Sequence, residues 1–338
     1  MVDLAESRAS IDRIDKEIVT LFEERMRIAG DVAEYKRAVG KKVFDPERES
    51  EKLMVLSGLA ATEFNRHAVK ELFSQIMSIS RKYQYSLLSE EFEPFEWHEA
   101  LPKGKDVKVC FFGAAGSYSE QAMEDCFGCE VERFSAGSFK EVMEAVQEGR
   151  ADFGVLPIEN TTTGGITDSY DLLMEYENYI VAEHVVKIEH ALLACEGATL
   201  DGIRQVYSHP QAIGQCRRFF GEHPEIQPQA CASTSECAKK VKEAKDTSYA
   251  AIASLRAAAL YGLKVLQECL NTEQVNSTRF IIVARQRMCL ENAGKMSICF
   301  ELPHEAGSLY RMLSHMMYNG LNMIKIESRP IPGRRFEY

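Results

Sequence analysis

No apolar run in this chain reaches the roughly 18 residues that a membrane-crossing helix needs, and its N-terminus has no apolar core of the kind a secretory signal carries. Neither a membrane-spanning nor an exported protein is expected, and the cytoplasm is the expected location. Basic charge is also scarce: 40 Lys and Arg against 51 Asp and Glu leave a net charge of −11. Nucleic acid and anionic membrane both demand a basic footprint, so neither is an expected partner, and any anion site has to be local. Paired metal-ligand motifs are missing. Among ten cysteines the sole C-x-x-C is Cys126-Phe-Gly-Cys129, with no second pair and no nearby pair of histidines. No metal is therefore expected, and the other cysteines read as small buried apolar residues of a reducing compartment. Tryptophan occurs once, in an acidic stretch with two prolines, residues 89–106, that reads as a domain linker. What is present suffices for folding: 45% hydrophobic content over 338 residues supports two or three domains with real cores.

Ahead of that linker, residues 4–39 contain no proline and one glycine. Apolar residues recur at Leu4, Ile11, Ile18 and Val32, and at Ile14, Leu21 and Ile28, a heptad-like seam that predicts one long helix of about 50 Å. Arg25 falls on that seam where an apolar residue is due; a cation there either pairs with a glutamate or binds an anion, because unpaired burial is expensive. Asp45-Pro46 predicts an N-cap and first turn of a second helix, with Arg48 in that turn, where the helix dipole disfavours a cation unless something negative offsets it. A third helix is predicted over residues 67–88, with Ser80 and Gln84 four apart on one face. Three helices with short links make a bundle, or half of a dimeric one.

In these residues the segment 5–88 resembles the all-helical chorismate mutase family. Arg8, Arg25, Lys36, Asp45, Arg48, Glu49, Ser80 and Gln84 match that family's active-site positions in order and spacing. The reaction is a pericyclic rearrangement of a dianion, which needs no nucleophile or general base. It needs cations for two carboxylates and donors for the ether oxygen, where negative charge develops. The resemblance implies Arg8, Arg25 and Arg48 on carboxylates, Lys36 and Gln84 on the ether oxygen, Glu49 accepting from the ring hydroxyl, and Asp45 and Ser80 as supporting polar groups. Arg8 and Arg25 are 17 residues apart on one helix, about 26 Å, too far for both to reach one small ligand from the same chain. A homodimer with two shared sites is expected.

After the linker, the apolar strand 153–158 breaks into Glu159, Asn160, Thr161, Thr162, Thr163, Gly164 and Gly165, and a helix is predicted from Ile166. Ligands gather at such a strand-to-helix junction in open α/β sheets. The strand 107–112 likewise runs into Gly113-Ala-Ala-Gly-Ser-Tyr-Ser119 and a helix near Glu120; this is neither a dinucleotide fingerprint nor a P-loop, and a carboxylate suits it better than a phosphate. Ser138-Phe-Lys-Glu141 is a capping box. Alternating strands and helices continue to about residue 285 and predict a mainly parallel sheet, with residues 179–195 a long β-rich stretch that crosses between two lobes.

Across residues 107–285 the chain resembles the prephenate dehydratase family. The resemblance rests on Gly116-Ser-Tyr-Ser-Glu-Gln-Ala122, Pro157-Ile-Glu-Asn160, Ser208-His-Pro-Gln-Ala212 with Gln215-Cys216, and Thr278-Arg-Phe280. It departs at Ala114, where proline is usual, and at Thr161, where serine is usual. The family fold is similar to a two-lobed periplasmic binding protein with substrate in the cleft. Aromatisation drives loss of water and CO2 from prephenate, so no cofactor is expected. The resemblance implies Thr278 as the donor to the leaving hydroxyl and Arg279 as binding or organising the anion. Asn160, Thr161, Gln215 and Ser117 would line the cleft, with Glu159 either orienting Thr278 or relaying a proton. His209 would serve either as an acid or as a helix cap.

Residues 286–338 contain a predicted strand at 295–302, a helix ending at Gly320, a strand at 323–330 and the start of a third at 334–338. They resemble the first half of an ACT regulatory domain, ordinarily βαββαβ, with Glu327-Ser-Arg-Pro330 as signature. Ala306-Gly-Ser-Leu309 departs from that domain's usual glycine–alanine–leucine–valine. The resemblance implies Gly307, Leu309, Glu327, Ser328 and Arg329 as a site for phenylalanine, an allosteric inhibitor, with weak or no binding expected from half a fold. The expected architecture is multidomain: an all-α mutase domain (1–88), a linker (89–106), an α/β two-lobed dehydratase domain (107–285) and a partial α+β ACT domain (286–338). The substrates expected are chorismate and prephenate. A two-lobed ligand sensor and an enzyme with one decayed catalytic domain are the alternatives.

Overall fold

The computed structural model describes residues 3–88, 95–273, 275–331, 333–335 and 337. Residues 89–94 of the expected linker and parts of the third expected ACT strand lie outside the described residues. The chain forms two compact units, residues 1–94 and 95–338.

The N-terminal unit consists of α1 (Leu4–Val39), α2 (Pro46–Gly58) and α3 (Glu63–Leu87). Each start has its chemistry in the sequence. Asp3 accepts from the N–H groups of Ala5 and Glu6, Asp45 from that of Arg48 with Pro46 next, and Thr62 from that of Asn65. That last cap starts α3 four residues ahead of expectation. Gly40 ends α1 in the left-handed conformation, φ 66°. The seam of α1 is not covered within the chain: Leu4, Ile11, Ile14, Ile18, Leu21, Ile28 and Val32 are each 41–64% exposed.

The second unit opens on β1 (Glu96–His98), within the expected linker, paired in parallel with β13 (Met288–Leu290). Between them the chain runs β2 (Lys108–Phe112), α4 (Tyr118–Phe127), β3 (Glu132–Ala136), α5 (Phe139–Gln147), β4 (Phe153–Asn160), β5 (Gly164–Gly165), α6 (Thr167–Glu175) and β6 (Tyr179–Lys187). It continues with β7 (Ala191–Ala194), β8 (Gln205–Ser208), α7 (Pro210–Gln215), α8 (Arg217–Glu222), β9 (Gln227–Ala230), α9 (Thr234–Ala244), β10 (Tyr249–Ala253), α10 (Leu255–Tyr261), β11 (Lys264–Gln267) and β12 (Ser277–Ala284). Two sheets result, in the orders β3-β2-β4-β12-β6 and β11-β7-β10-β8-β9. The chain crosses between them twice, from β6 to β7 and from β11 back to β12, so this unit is two-lobed. Neither sheet is mainly parallel: β12 runs antiparallel to β4 and β6, and β7 antiparallel to β10 and β11. The strands flanking each crossing enter or leave their sheet directly, without the helical crossover that a parallel neighbour requires.

Apolar cores line both faces of each sheet. In β4 the run 153–158 is buried throughout. Gly154 sits where a Cβ would stand 2.8 Å from Val142 Cγ1 and 3.0 Å from Val146 and Val283. At Ser138 the capping box forms, Ser138 Oγ accepting from Glu141 N and Glu141 reaching back to Gly137 N at 2.8 Å.

The C-terminal segment departs from expectation. The helix is present as α11 (Ser308–Tyr318), but residues 295–302 and 323–330 are not strands. A strand exists through its ladder partners, and here the apolar side chains of Met296, Ile298, Ile324 and Ile326 stay exposed. These segments instead reach the first lobe by charge: Lys295 to Glu183, Lys325 to Glu159, and Arg329 with two bonds to Asp171.

Candidate active sites

In the helical unit, the face of α1 that meets α3 carries Arg25 and, three turns on, Lys36. The Arg25 guanidinium donates to Ser80 Oγ, and Lys36 Nζ donates to Val43 O at 2.6 Å. Burial lowers the pKa of both cations, opposed by Glu49 at Arg25 and chiefly by Asp45 at Lys36. They are held partly desolvated, the condition under which an anion binds them most strongly. Ser80 and Gln84 are buried on α3, as their spacing predicts. Gln84 Nε2 donates to Ser80 O at 3.2 Å, while its Oε1 is buried and has no partner among the described residues.

Four other expected residues stand apart from these hydrogen bonds. Asp45 is the N-cap of α2, accepting from Arg48 N at 3.1 Å. Glu49 is paired with Arg81, whose guanidinium also lies 5.0 Å from the Phe44 ring centre. Arg81 was not expected; it neighbours Ser80, yet no spacing rule marks it. Arg8 is exposed near the far end of α1, away from Arg25. Arg48 is exposed in the first turn of α2.

In the two-lobed unit a closed ring of side-chain hydrogen bonds joins the lobes. Gln215 Nε2, on α7 of the second lobe, donates to Thr162 Oγ1 at 2.9 Å. Thr162 Oγ1 donates to Asn160 Oδ1 at 2.6 Å. Asn160 Nδ2 donates to Asn276 Oδ1 at 2.9 Å, and Asn276 Nδ2 closes the ring on Gln215 Oε1 at 3.0 Å. Asn160 Nδ2 also donates to Thr278 Oγ1 at 2.9 Å. The orientation of Asn160 is set independently by the backbone N–H groups of Thr162 and Thr163, which donate to its Oδ1 at 2.9 and 3.2 Å. The Thr278 oxygen accepts from the amide and makes no donor bond to a described residue, so its own proton is unengaged among them.

The register β12 against β4 sets Thr278 opposite Asn160 and Arg279 opposite Glu159. Side chains alternate along a strand, so Glu159 and Arg279 face away from the ring. Arg279 lies 3.7 Å from Glu159 and 3.2 Å from Glu183, and Lys325 Nζ is 2.9 Å from Glu159 Oε1. Glu159 does not touch Thr278, which corrects its expected orienting role. The predicted loop begins later than expected, because β4 extends through Asn160 and pairs with β5. Thr161 ties this hairpin to β12, accepting from Ser277 N at 3.0 Å.

The Gly113–Ser119 junction meets the second lobe. Its carbonyls are occupied by the second lobe: Tyr261 and Ser235 donate to Ala115 O, and Ser254 donates to Gly116 O. Ser117 caps α4, accepting from Glu120 N, and Glu120 returns to Gly116 N at 2.7 Å. This loop is a lobe-to-lobe contact. His209 caps α7, its Nδ1 accepting from Gln211 N at 3.2 Å, with its pKa lowered by burial. Missed by the sequence reading were Thr162 and Asn276 as ring members, and His190. In the C-terminal segment Gly307 precedes α11 in the left-handed conformation, Leu309, Glu327 and Ser328 are exposed, and Arg329 is paired with Asp171.

Comparison with known proteins finds relatives of both units. The chorismate mutase type II family matches residues 7–85 and the prephenate dehydratase family residues 109–288. The bifunctional chorismate mutase/prephenate dehydratase of Escherichia coli K12 is 32% identical over 336 residues, covering 98% of this chain and 85% of that protein. A prephenate dehydratase from Arthrobacter aurescens, solved in complex with L-Phe, is 30% identical with a TM-score of 0.59, covering 67% of this chain and 77% of that one. A structure described as a quorum-quenching acylase, GqqA, is 29% identical with a TM-score of 0.58, covering 68% of this chain and 84% of that one. With both domain families matched in order and a relative of this identity spanning nearly its whole length, the chain belongs to the bifunctional chorismate mutase/prephenate dehydratase family.

Proposed function

We propose that the helical unit rearranges chorismate to prephenate and that the two-lobed unit converts prephenate to phenylpyruvate at Thr278, both steps serving phenylalanine synthesis. The observation that carries the second assignment is the Thr278 hydroxyl. Asn160 donates to its oxygen, so its proton is directed elsewhere. In the reaction, the bond to the quaternary carboxylate breaks and CO2 leaves. Its electron pair completes the aromatic ring and expels the ring hydroxyl, which takes up one proton to depart as water. A fixed donor at that hydroxyl stabilises the charge that develops on it. Asn160 and Gln215 hold the donor in place from the two lobes.

In the helical unit, Arg25 and Lys36 meet the anionic substrate already partly desolvated. The uncovered seam of α1 takes a second copy of the chain, whose Arg8 reaches the site around Arg25. For the C-terminal segment, the Arthrobacter relative solved with L-Phe makes phenylalanine the candidate ligand at Gly307, Leu309 and residues 327–329, with weak binding or none expected because residues 295–302 and 323–330 form no strands. Incubating the protein with chorismate and following phenylpyruvate tests the whole reading. Prephenate accumulating without phenylpyruvate leaves a single working domain, and binding without turnover leaves a sensor.

A further inference from the structure

His190 lies where the chain crosses from β6 to β7 and is 2% exposed. Its backbone N–H donates to Asn271 Oδ1 at 2.8 Å and its carbonyl accepts from Leu270 N at 2.9 Å, both on the returning crossover. The ring thus stands on the two segments that join the lobes. Nε2 is 2.9 Å from Gln215 Oε1. That oxygen can only accept, so Nε2 carries the proton. Nδ1 lies 3.2 Å from the Tyr118 hydroxyl, which donates to Glu189 O at 2.8 Å. Burial pulls the imidazole pKa below its ordinary value, opposed by the bond to Gln215, which keeps the ring neutral with one donor and one acceptor.

We infer that His190 is a positioning residue for prephenate dehydration, acting on Thr278 through Gln215, Thr162 and Asn160. Two donors converge on Gln215 Oε1, from His190 and from Asn276. They turn the Gln215 amide so that Nε2 meets Thr162 Oγ1. Thr162, having accepted, gives its proton to Asn160 Oδ1, and Asn160 presents Nδ2 to Thr278. Without the His190 donor the Gln215 amide loses one of the two contacts that distinguish its ends, and an amide turned over would set Nε2 against the Asn276 donor and Oε1 against Thr162. The hydroxyl of Thr162 would then be drawn away from Asn160. Neutral His190 therefore fixes the direction of the hydrogen bonds that leaves the Thr278 proton free for substrate. A buried side chain at this position that served packing alone would be met by a leucine.

This inference rests on the assignment of Thr278 proposed above, and the test separates the two. His190→Leu, His190→Gln, Thr278→Val and the double variant His190→Leu/Thr278→Val are compared in the full chain. The thermal midpoint of the dehydratase unit reports its folding, and mutase turnover, housed in the other unit, calibrates protein concentration. Expected are a fall in dehydratase kcat of roughly 10-fold or more for His190→Leu with little change in KM, as for a lost transition-state interaction. Substantial recovery is expected in His190→Gln, which restores an N–H near the Nε2 position. In the Thr278→Val background His190→Leu should add almost nothing, because both changes remove the same donor. Equal losses from His190→Leu with and without Thr278, or no loss in the single variant, overturn the inference while leaving Thr278 in place. Full activity of Thr278→Val overturns the assignment of the site itself. A fall in His190→Gln as deep as in His190→Leu, tracking a lowered thermal midpoint, marks a packing role and overturns the inference as well.

Discussion

Asn160 and Thr278 stand directly opposite one another on β4 and β12, and the amide of the first donates to the hydroxyl of the second at 2.9 Å. Both side chains are nearly buried, at 3% and 9% exposure. Thr278→Val preserves the shape and removes the hydroxyl. Dehydratase turnover should fall by about two orders of magnitude, the effect of deleting one transition-state donor. Mutase turnover, housed in the other unit, should not change. Near-normal phenylpyruvate formation would eliminate Thr278 as the donor.

How far the sequence revealed this site depends on what kind of signal each residue leaves. Helix starts are local chemistry, so Asp45-Pro46 and Ser138-Phe-Lys-Glu141 were legible residue by residue, and α1 spans the predicted interval. Thr278, Asn160 and Gln215 were legible through family motifs, and the structure brings all three together. The face of a strand was not. Glu159 and Arg279 sit in the same motifs as Asn160 and Thr278, but the one-residue offset sends them to the opposite side. Only knowing that β4 continues to Asn160 reveals this. Nor could local pattern show that the carbonyls of Ala115 and Gly116 meet Ser235, Ser254 and Tyr261, more than a hundred residues away. His190 carries no spacing signal at all; its role exists only where two crossovers and a helix meet.

Gly154 supplies a stability prediction. Its missing Cβ would be 2.8 Å from Val142 and 3.0 Å from Val146 and Val283, in a fully packed layer between β4, α5 and β12. The valines are short and β-branched and cannot swing away. Gly154→Ala should destabilise the dehydratase unit by about 1–3 kcal/mol. The midpoint of thermal inactivation of dehydratase activity reports it, and mutase activity should survive to the wild-type temperature. An unchanged midpoint would mean that this layer can expand.

The lobes are also joined by charge, and this contact titrates. Arg256 on α10 reaches Glu124 and Glu120 on α4, with Arg133 beside them. The hydrogen bond from Arg256, followed by the charges of Arg256 and Arg133, lowers the Glu124 pKa against the opposing effect of burial. A carboxyl whose folded pKa is depressed contributes stability above its unfolded value, 4.5, and that contribution is lost as pH falls from there through the folded value. The thermal midpoint of the dehydratase unit should therefore drop below about pH 4.5. Glu124→Gln should flatten that limb of the curve while lowering the midpoint at neutral pH. A variant whose acid limb superimposes on that of wild type would show that Glu124 is not the group responsible.

The helical unit poses a geometric problem that a second chain solves. Arg8 and Arg25 lie 17 residues apart on the continuous helix α1, about 26 Å at 1.5 Å per residue. A ligand the size of chorismate cannot touch both from one chain. The same helix leaves an apolar seam from Leu4 to Val32 exposed, more contiguous apolar surface than a soluble monomer ordinarily presents. Two copies of α1 packed antiparallel would cover the seam and bring Arg8 of one chain to the site around Arg25 of the other. Arg8→Ala and Arg25→Ala should then each be nearly inactive as mutases while their dehydratase activity persists. Refolded together, they should form heterodimers in which one site carries both lesions and the other carries none. Random pairing makes half of the dimers heterodimers, so mixed protein should recover about a quarter of wild-type mutase activity. An active Arg8→Ala protein, or a mixture that recovers nothing, would show that each site is built from a single chain.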